Sequence, residues 1–189
     1  MLDEVKQDTF YNRNVRSWNN GKTQIFLLSA ENDIVYVFAH ILHHFFWGGI
    51  GLRQICDWCR LLWTYREKLN IHVIESHIRQ AGLMSEWKAF AALAVDYLGM
   101  PEETMPFAST RELSKKAKRI VTRVLITGNF GHNIDESYRN NESFVVRKSK
   151  AVWRYSCEAM AHFMIFPLDS LRAYGITIRT GLLSTLGLK

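Results

Sequence analysis

A chain of 189 residues has room for one sizeable domain or a domain with an appendage, and a composition 48% hydrophobic and 13% aromatic excludes a disordered chain. Three prolines, with glycines gathered at a few corners, favour long helices over a many-turned β-sandwich. The net charge of +6 is local: between Arg111 and Arg154 eleven Lys and Arg face four Asp and Glu, so that stretch carries +7 and the remainder −1.

In chain order, the opening "MLDEVKQDTF" is acidic and polar, the pattern of neither a signal nor a transit peptide. Residues 1–22 read as irregular, and "TQIFLL", Thr23 to Leu28, as a short strand whose partner lies outside the chain. Residues 1–28 thus form an extended or β arm, and 29–189 a helical domain: an all-α, multi-helix bundle. Ser29 is a good cap for a helix from Ala30 to about Trp47, with Glu31 and Asp33 at the positive end of its dipole. That helix has two stripes. Ile34, Val35, Phe38, Ile41, Leu42 and Phe45 share one arc, while Asp33, Tyr36, His40, His43, His44 and Trp47 share roughly the opposite one.

From Ile34 to Leu52 there is no Asp, Glu, Lys or Arg, a length that nominally spans a bilayer. Its three histidines and the Gly48-Gly49 break make it a buried helix running into a turn, not a membrane span. After this glycine corner, a helix from Leu52 to about Lys68 has Leu52, Ile55, Cys59 and Leu62 on its core face and Arg53, Asp57 and Arg60 on another. Asn70 caps a helix from Ile71 to Gln80 ended by Gly82, and Ser85 caps one from Glu86 to Leu98 ended by Gly99. "PEETMPF" is a loop, and Ser109 starts a basic helix to about Thr127. A polar loop over Gly128 to Glu142 precedes a long helix from Ser143 to Phe166, with Trp153, Cys157, Met160 and Met164 at core spacing. Pro167 breaks it, and Asp169 or Ser170 opens the last helix.

The stretch "HILHHFFWGGIGLRQICDW", His40 to Trp58, is the sharpest site candidate. Its three histidines share a face and fit a metal site, a polar pocket wall or a packed core; a zinc site wants a third ligand, and no His-Glu-x-x-His is present. Cys56 and Cys59 lie within a helix and read as buried thiols, and an odd count of three cysteines without an export signal fits a reducing cytoplasm. Arg53 and Asp57 are spaced for an ion pair that would present a guanidinium to an anion. "NFGHNID" offers backbone amides with His132 and Asp135, an anion or nucleotide loop or simply a surface connection. The basic region attracts phosphates of a nucleotide, a nucleic acid or a lipid headgroup, or keeps helix faces solvated. No Walker loop, dinucleotide fingerprint, nucleophile elbow or kinase signature is present, so these residues assign no reaction.

"LSAENDIVYVFAHILHHFFWGGIGLRQICDW", Leu28 to Trp58, resembles the C-terminal part of an uncharacterised bacterial nucleotidyltransferase family. The features that match are the acidic helix start at Glu31 to Asp33, His40 with His44 and Phe45, the corner Gly49-Ile50-Gly51-Leu52-Arg53, and Asp57 one turn later. "GNFGHNID" and "FPLDSLR" are similar to later parts of bacteroidete-type members. The resemblance implies a helical domain that closes over a nucleotide or acceptor held by a catalytic αβ domain. That catalytic half carries Gly-Ser or Gly-Gly and then Asp-x-Asp on a strand, whose carboxylates hold magnesium.

This sequence contains no Asp-x-Asp. The nearest approach, Asp57-Trp58-Cys59 after Gly48-Gly49, has a cysteine for the second carboxylate and lies on a helix, where i and i+2 diverge. The resemblance therefore implies an accessory half, inactive alone, whose partner is a separate catalytic nucleotidyltransferase domain or chain. Magnesium and a nucleoside triphosphate would enter only with that half. His40, His44, Arg53, Asp57 and His132 would line the nucleotide or acceptor side. Two other readings fit the same residues: a helical nucleic-acid or nucleotide-binding module using the basic region, which the resemblance favours less, and a structural interaction protein.

Overall fold

The computed structural model describes residues 16–19, 21–108, 110–128, 144–171, 175 and 178–179. The fold is all-α with a short β arm. Strands β1 (Arg16–Asn19) and β2 (Gln24–Leu27) form an antiparallel hairpin in the register Arg16↔Leu27 to Asn19↔Gln24. The strand expected in "TQIFLL" is therefore present, but its partner is the segment just before it, which had read as irregular. The missed signal was Asn20-Gly21: glycine takes a left-handed φ of 86° there, and its N–H donates to Asn19 Oδ1 at 2.7 Å.

Helices α1 (Ala30–Trp47), α2 (Leu52–Tyr65), α3 (Ile71–Gln80), α4 (Met84–Leu98), α5 (Thr110–Thr127) and α6 (Phe144–Phe163) follow, with a single 3₁₀ turn at Glu102–Thr104. Their ends follow local chemistry. Buried Ser29 accepts from Asn32 N–H at 3.3 Å to start α1, and Asn70 Oδ1 accepts from His72 N–H at 3.2 Å to start α3. α2 stops at Tyr65, three residues before the expected end. Arg66 donates to the Trp63 carbonyl at 2.7 Å and lies 4.2 Å from that indole, satisfying an end carbonyl that another turn would have used. Ser85 is not the cap of α4. Leu83 holds that place without a side-chain bond, its carbonyl accepting from Trp87 N–H at 2.9 Å. Gly99, at φ 73°, ends α4 as expected.

The chain divides into two compact units, one of Met1–Ile41 with Arg53–Ala117, the other of Leu42–Leu52 with Lys118–Lys189. In the first unit the apolar stripe of α1 (Ile34, Val35, Phe38, Ile41) is buried, as are Ile55, Trp58, Cys59 and Leu62 of α2 and Ile74 and Ile78 of α3. In α4 the run Ala89 to Ala94 is wholly buried. Four rings fill the centre. Phe38 meets Trp58 at 5.1 Å, Trp87 at 4.9 Å and Phe90 at 5.8 Å, and the two indoles meet edge-on at 4.8 Å. Trp87 Nε1 donates to the Pro106 carbonyl at 2.8 Å, so its polar edge is satisfied while its ring packs. Glu31 accepts from Asn70 N–H at 2.9 Å, tying the start of α3 to the first turn of α1.

In the second unit Leu42, Phe45 and Ile50 are buried, with Ile120, Val124 and Thr127 of α5 and His162, Ile165 and Phe166 at the end of α6. Here the expected core face of α6 is overturned. Trp153, Cys157, Met160 and Met164 are exposed, and His162 is the residue buried. The 3–4 spacing is real, but it marks the outer face. The end also differs: α6 closes in a turn at 164–166, and Pro167 begins the next helical turn, 167–171, where its missing N–H costs nothing. No helix of the described residues is long and apolar enough to cross a membrane.

Candidate functional site

The polar stripe of α1 is set by the same periodicity that buries its apolar face. In the first unit, Tyr36 and His40 are exposed and four residues apart, and their rings lie nearly parallel with centroids 6.4 Å apart. In the second unit, exposed His43 stacks on Trp47 at 4.9 Å and meets the half-buried His44 edge-on at 5.4 Å. The stripe is thus two short ladders of flat, polar-edged rings at the surface, not a packed core. The corner behind it depends on Gly49, at φ 79°, more than on Gly48, where an added Cβ would meet His44 Nδ1 at an ordinary 3.9 Å.

On α2, Arg53, Asp57 and Arg60 form one exposed face, and no ion pair joins Arg53 to Asp57 among the described residues. Cys56 is exposed but Cys59 is buried, and burial, with Cys56 adding to it, pushes the Cys59 thiol up to about 12. That sulfur stays protonated at neutral pH and is neither nucleophile nor metal ligand as it stands.

The first unit holds His40, Arg53 and Asp57, all at the surface; His44 lies in the second unit, and His132 and Asp135 lie outside the described residues. Among the described residues no three of His, Cys, Asp and Glu gather as a metal site would require.

Sequence reasoning missed a second polar cluster. His162 is buried against Phe45 at 4.8 Å and Phe46 at 5.6 Å, and burial, reinforced by Arg123, lowers its pKa to about 4. Arg123 pairs with Glu158 at 3.7 Å and keeps a buried Nε without a partner among the described residues. A lone histidine between Ala161 and Phe163 carries no motif, so only the fold reveals it.

Residues 3–99, just over half of the chain, match the model of a family described as uncharacterised nucleotidyltransferase. No curated protein and no solved structure matches the chain.

Proposed function

The chain belongs to this uncharacterised nucleotidyltransferase family, and from that membership we propose that it is the helical, nucleotide- or acceptor-binding part of such a transferase. It works in the cytoplasm with a separate catalytic domain or chain, as in the C-terminal part of a bacteroidete-type member. The observation that carries this reading is the pairing of the family match with a sequence that has no Asp-x-Asp.

The residues at hand do not fit the magnesium pair of a nucleotidyl transfer. Asp57 is exposed while Cys59, in the place of the second carboxylate, is buried with a protonated thiol. No catalytic step is therefore assigned to this chain, and magnesium with its triphosphate belongs to the catalytic half.

What supports a binding role is the chemistry of the exposed faces. Arg53 offers the planar, permanently charged fork suited to phosphate oxygens, and Asp57 accepts hydrogen bonds from a sugar or acceptor hydroxyl. The Tyr36–His40 ladder offers a flat surface for a base, with His40 also a donor or acceptor at its edge. His44 lies in the second unit and His132 outside the described residues, and both enter the proposal from the resemblance in sequence alone.

The test is a thermal-shift titration with ATP, GTP, CTP and UTP, each with and without magnesium. A ligand at about one hundred times its dissociation constant adds about 2.7 kcal/mol to stability, readily visible as a raised midpoint. A selective shift that Arg53→Ala abolishes, with the unliganded midpoint unchanged, supports the reading. If Arg53→Ala lowers the unliganded midpoint steeply and leaves binding intact, the residue is structural and the assignment fails.

A nucleic-acid-binding role is favoured by one observation. Residues 118–189 hold eleven Lys and Arg against five Asp and Glu, the whole of the chain's net +6. RNA affinity falling steeply with salt would select that reading instead.

A further inference from the structure

The two ring ladders of α1 share one spacing in sequence but not one geometry. Four residues of α-helix rise about 6 Å, so rings that stand out from positions i and i+4 begin about that far apart. His43 and Trp47 have closed the distance to 4.9 Å, with their planes 25° apart. Tyr36 and His40 have not closed it: their planes stay within 11° of parallel and their centroids 6.4 Å apart. Flat aromatic groups stack at about 3.4 Å, the rise between bases in a nucleic-acid strand, so a ring held between two others sets those two about 6.8 Å apart. The Tyr36–His40 spacing of 6.4 Å comes within about 0.4 Å of that figure. Both walls are reachable from solvent, Tyr36 being 51% exposed and His40 exposed as well. His40 takes part in a further interaction within the chain, which steadies one wall. Val37, Phe38 and Ala39, the residues between the walls, are apolar and bring no charge to the foot of the gap.

We propose that Tyr36 and His40 clamp a nucleobase between them, one ring on each of its faces. The inference rests on the nucleotide-binding reading above and adds how the base is held and which part of the ligand the clamp selects. Stacking on both faces rewards a flat, delocalised ring and gains little from a sugar or a phosphate. A purine covers more of both walls than a pyrimidine, so adenine and guanine are favoured over cytosine and uracil. The phenol hydroxyl has no part in the stacking. Tyr36→Phe therefore keeps the clamp, whereas Tyr36→Ala removes one wall.

The test is isothermal titration calorimetry of the full chain with AMP, UMP and ribose 5-phosphate. AMP should bind more tightly than UMP, and both more tightly than ribose 5-phosphate. Tyr36→Ala should weaken AMP about tenfold or more and leave ribose 5-phosphate unchanged, while Tyr36→Phe should hold AMP affinity to within about twofold. Trp47→Ala, which removes a ring of the closed ladder, should leave AMP affinity unchanged. In proton NMR the ring C–H protons of adenine should move upfield on binding, shielded from both faces, and move less with Tyr36→Ala. If Tyr36→Ala leaves AMP affinity unchanged while Arg53→Ala abolishes it, the base is held elsewhere, and the clamp is overturned with the nucleotide-binding reading intact. If Tyr36→Ala and Trp47→Ala weaken AMP alike, the rings act as separate stacking surfaces, and the clamp is overturned again. If neither AMP nor UMP binds, the clamp and the reading beneath it fall together.

Discussion

His162 should make stability fall with acid in a defined window, and removing it should flatten that fall. The imidazole is caged by Phe45 and Phe46 near Arg123, and its pKa falls from 6.5 to about 4, first through burial and then through the like charge of the guanidinium. The folded state holds the neutral ring, so between pH 6.5 and about 4 the unfolded chain binds the extra proton. Stability from this group is therefore full above 6.5 and is lost as pH falls towards 4. A shift of this size is worth about 2 to 3 kcal/mol between about pH 7.5 and pH 4.5. Urea unfolding of the native chain and His162→Gln at those two pH values gives the difference directly. Other acid-sensitive groups act on both proteins and cancel. The native chain should lose about 2 to 3 kcal/mol more than the variant. Parallel losses in the two proteins would refute the argument, because the histidine would then titrate alike in the folded and unfolded states.

The two faces of α1 should separate in the same assay. Phe38→Ala removes a fully buried ring from contact with Trp58, Trp87 and Phe90 and should cost about 3 to 5 kcal/mol, while Tyr36→Ala, two residues earlier and exposed, should stay within about 0.5 kcal/mol. A costly Tyr36→Ala would mean that its stripe is packed. Maleimide labelling of the folded chain should modify Cys56 and Cys157 quickly and spare Cys59 until denaturant is added, because only Cys59 is buried and held protonated. Three equally fast thiols by mass spectrometry would contradict the burial of α2.

Much of the first unit was legible because independent local signals agree there. Along α1, the Ser29 cap, the acidic first turn and a 3.6-residue apolar period all point to one helix, and the structure keeps its bounds and buried face. α3 was equally plain from Asn70 and Gly82. Failures came where one signal stood alone. Ser85 has the right chemistry for a cap, but the backbone turns into α4 two residues earlier, at Leu83; and the Trp63–Arg66 contact that ends α2 is a side-chain event no periodicity records. The central indole of Trp58 went unassigned, although at 100° per residue it falls beside Leu62 and Ile55, on the edge of the face that read as core.

The candidate site was legible in its residue types more than in its setting, and α6 shows why. Periodicity establishes that apolar residues share a face; it carries no information about what covers that face. On α1 the arc with Phe38 is covered by α2 and α4, and the reading of a core is correct. On α6 the same pattern, Trp153 to Met164, is uncovered, while the opposite side buries a histidine and places Arg123 against Glu158. A chain minimising its own exposed area would have turned α6 the other way, burying the indole and the methionines in place of His162. The observed orientation keeps an apolar face in water and a polar cluster inside.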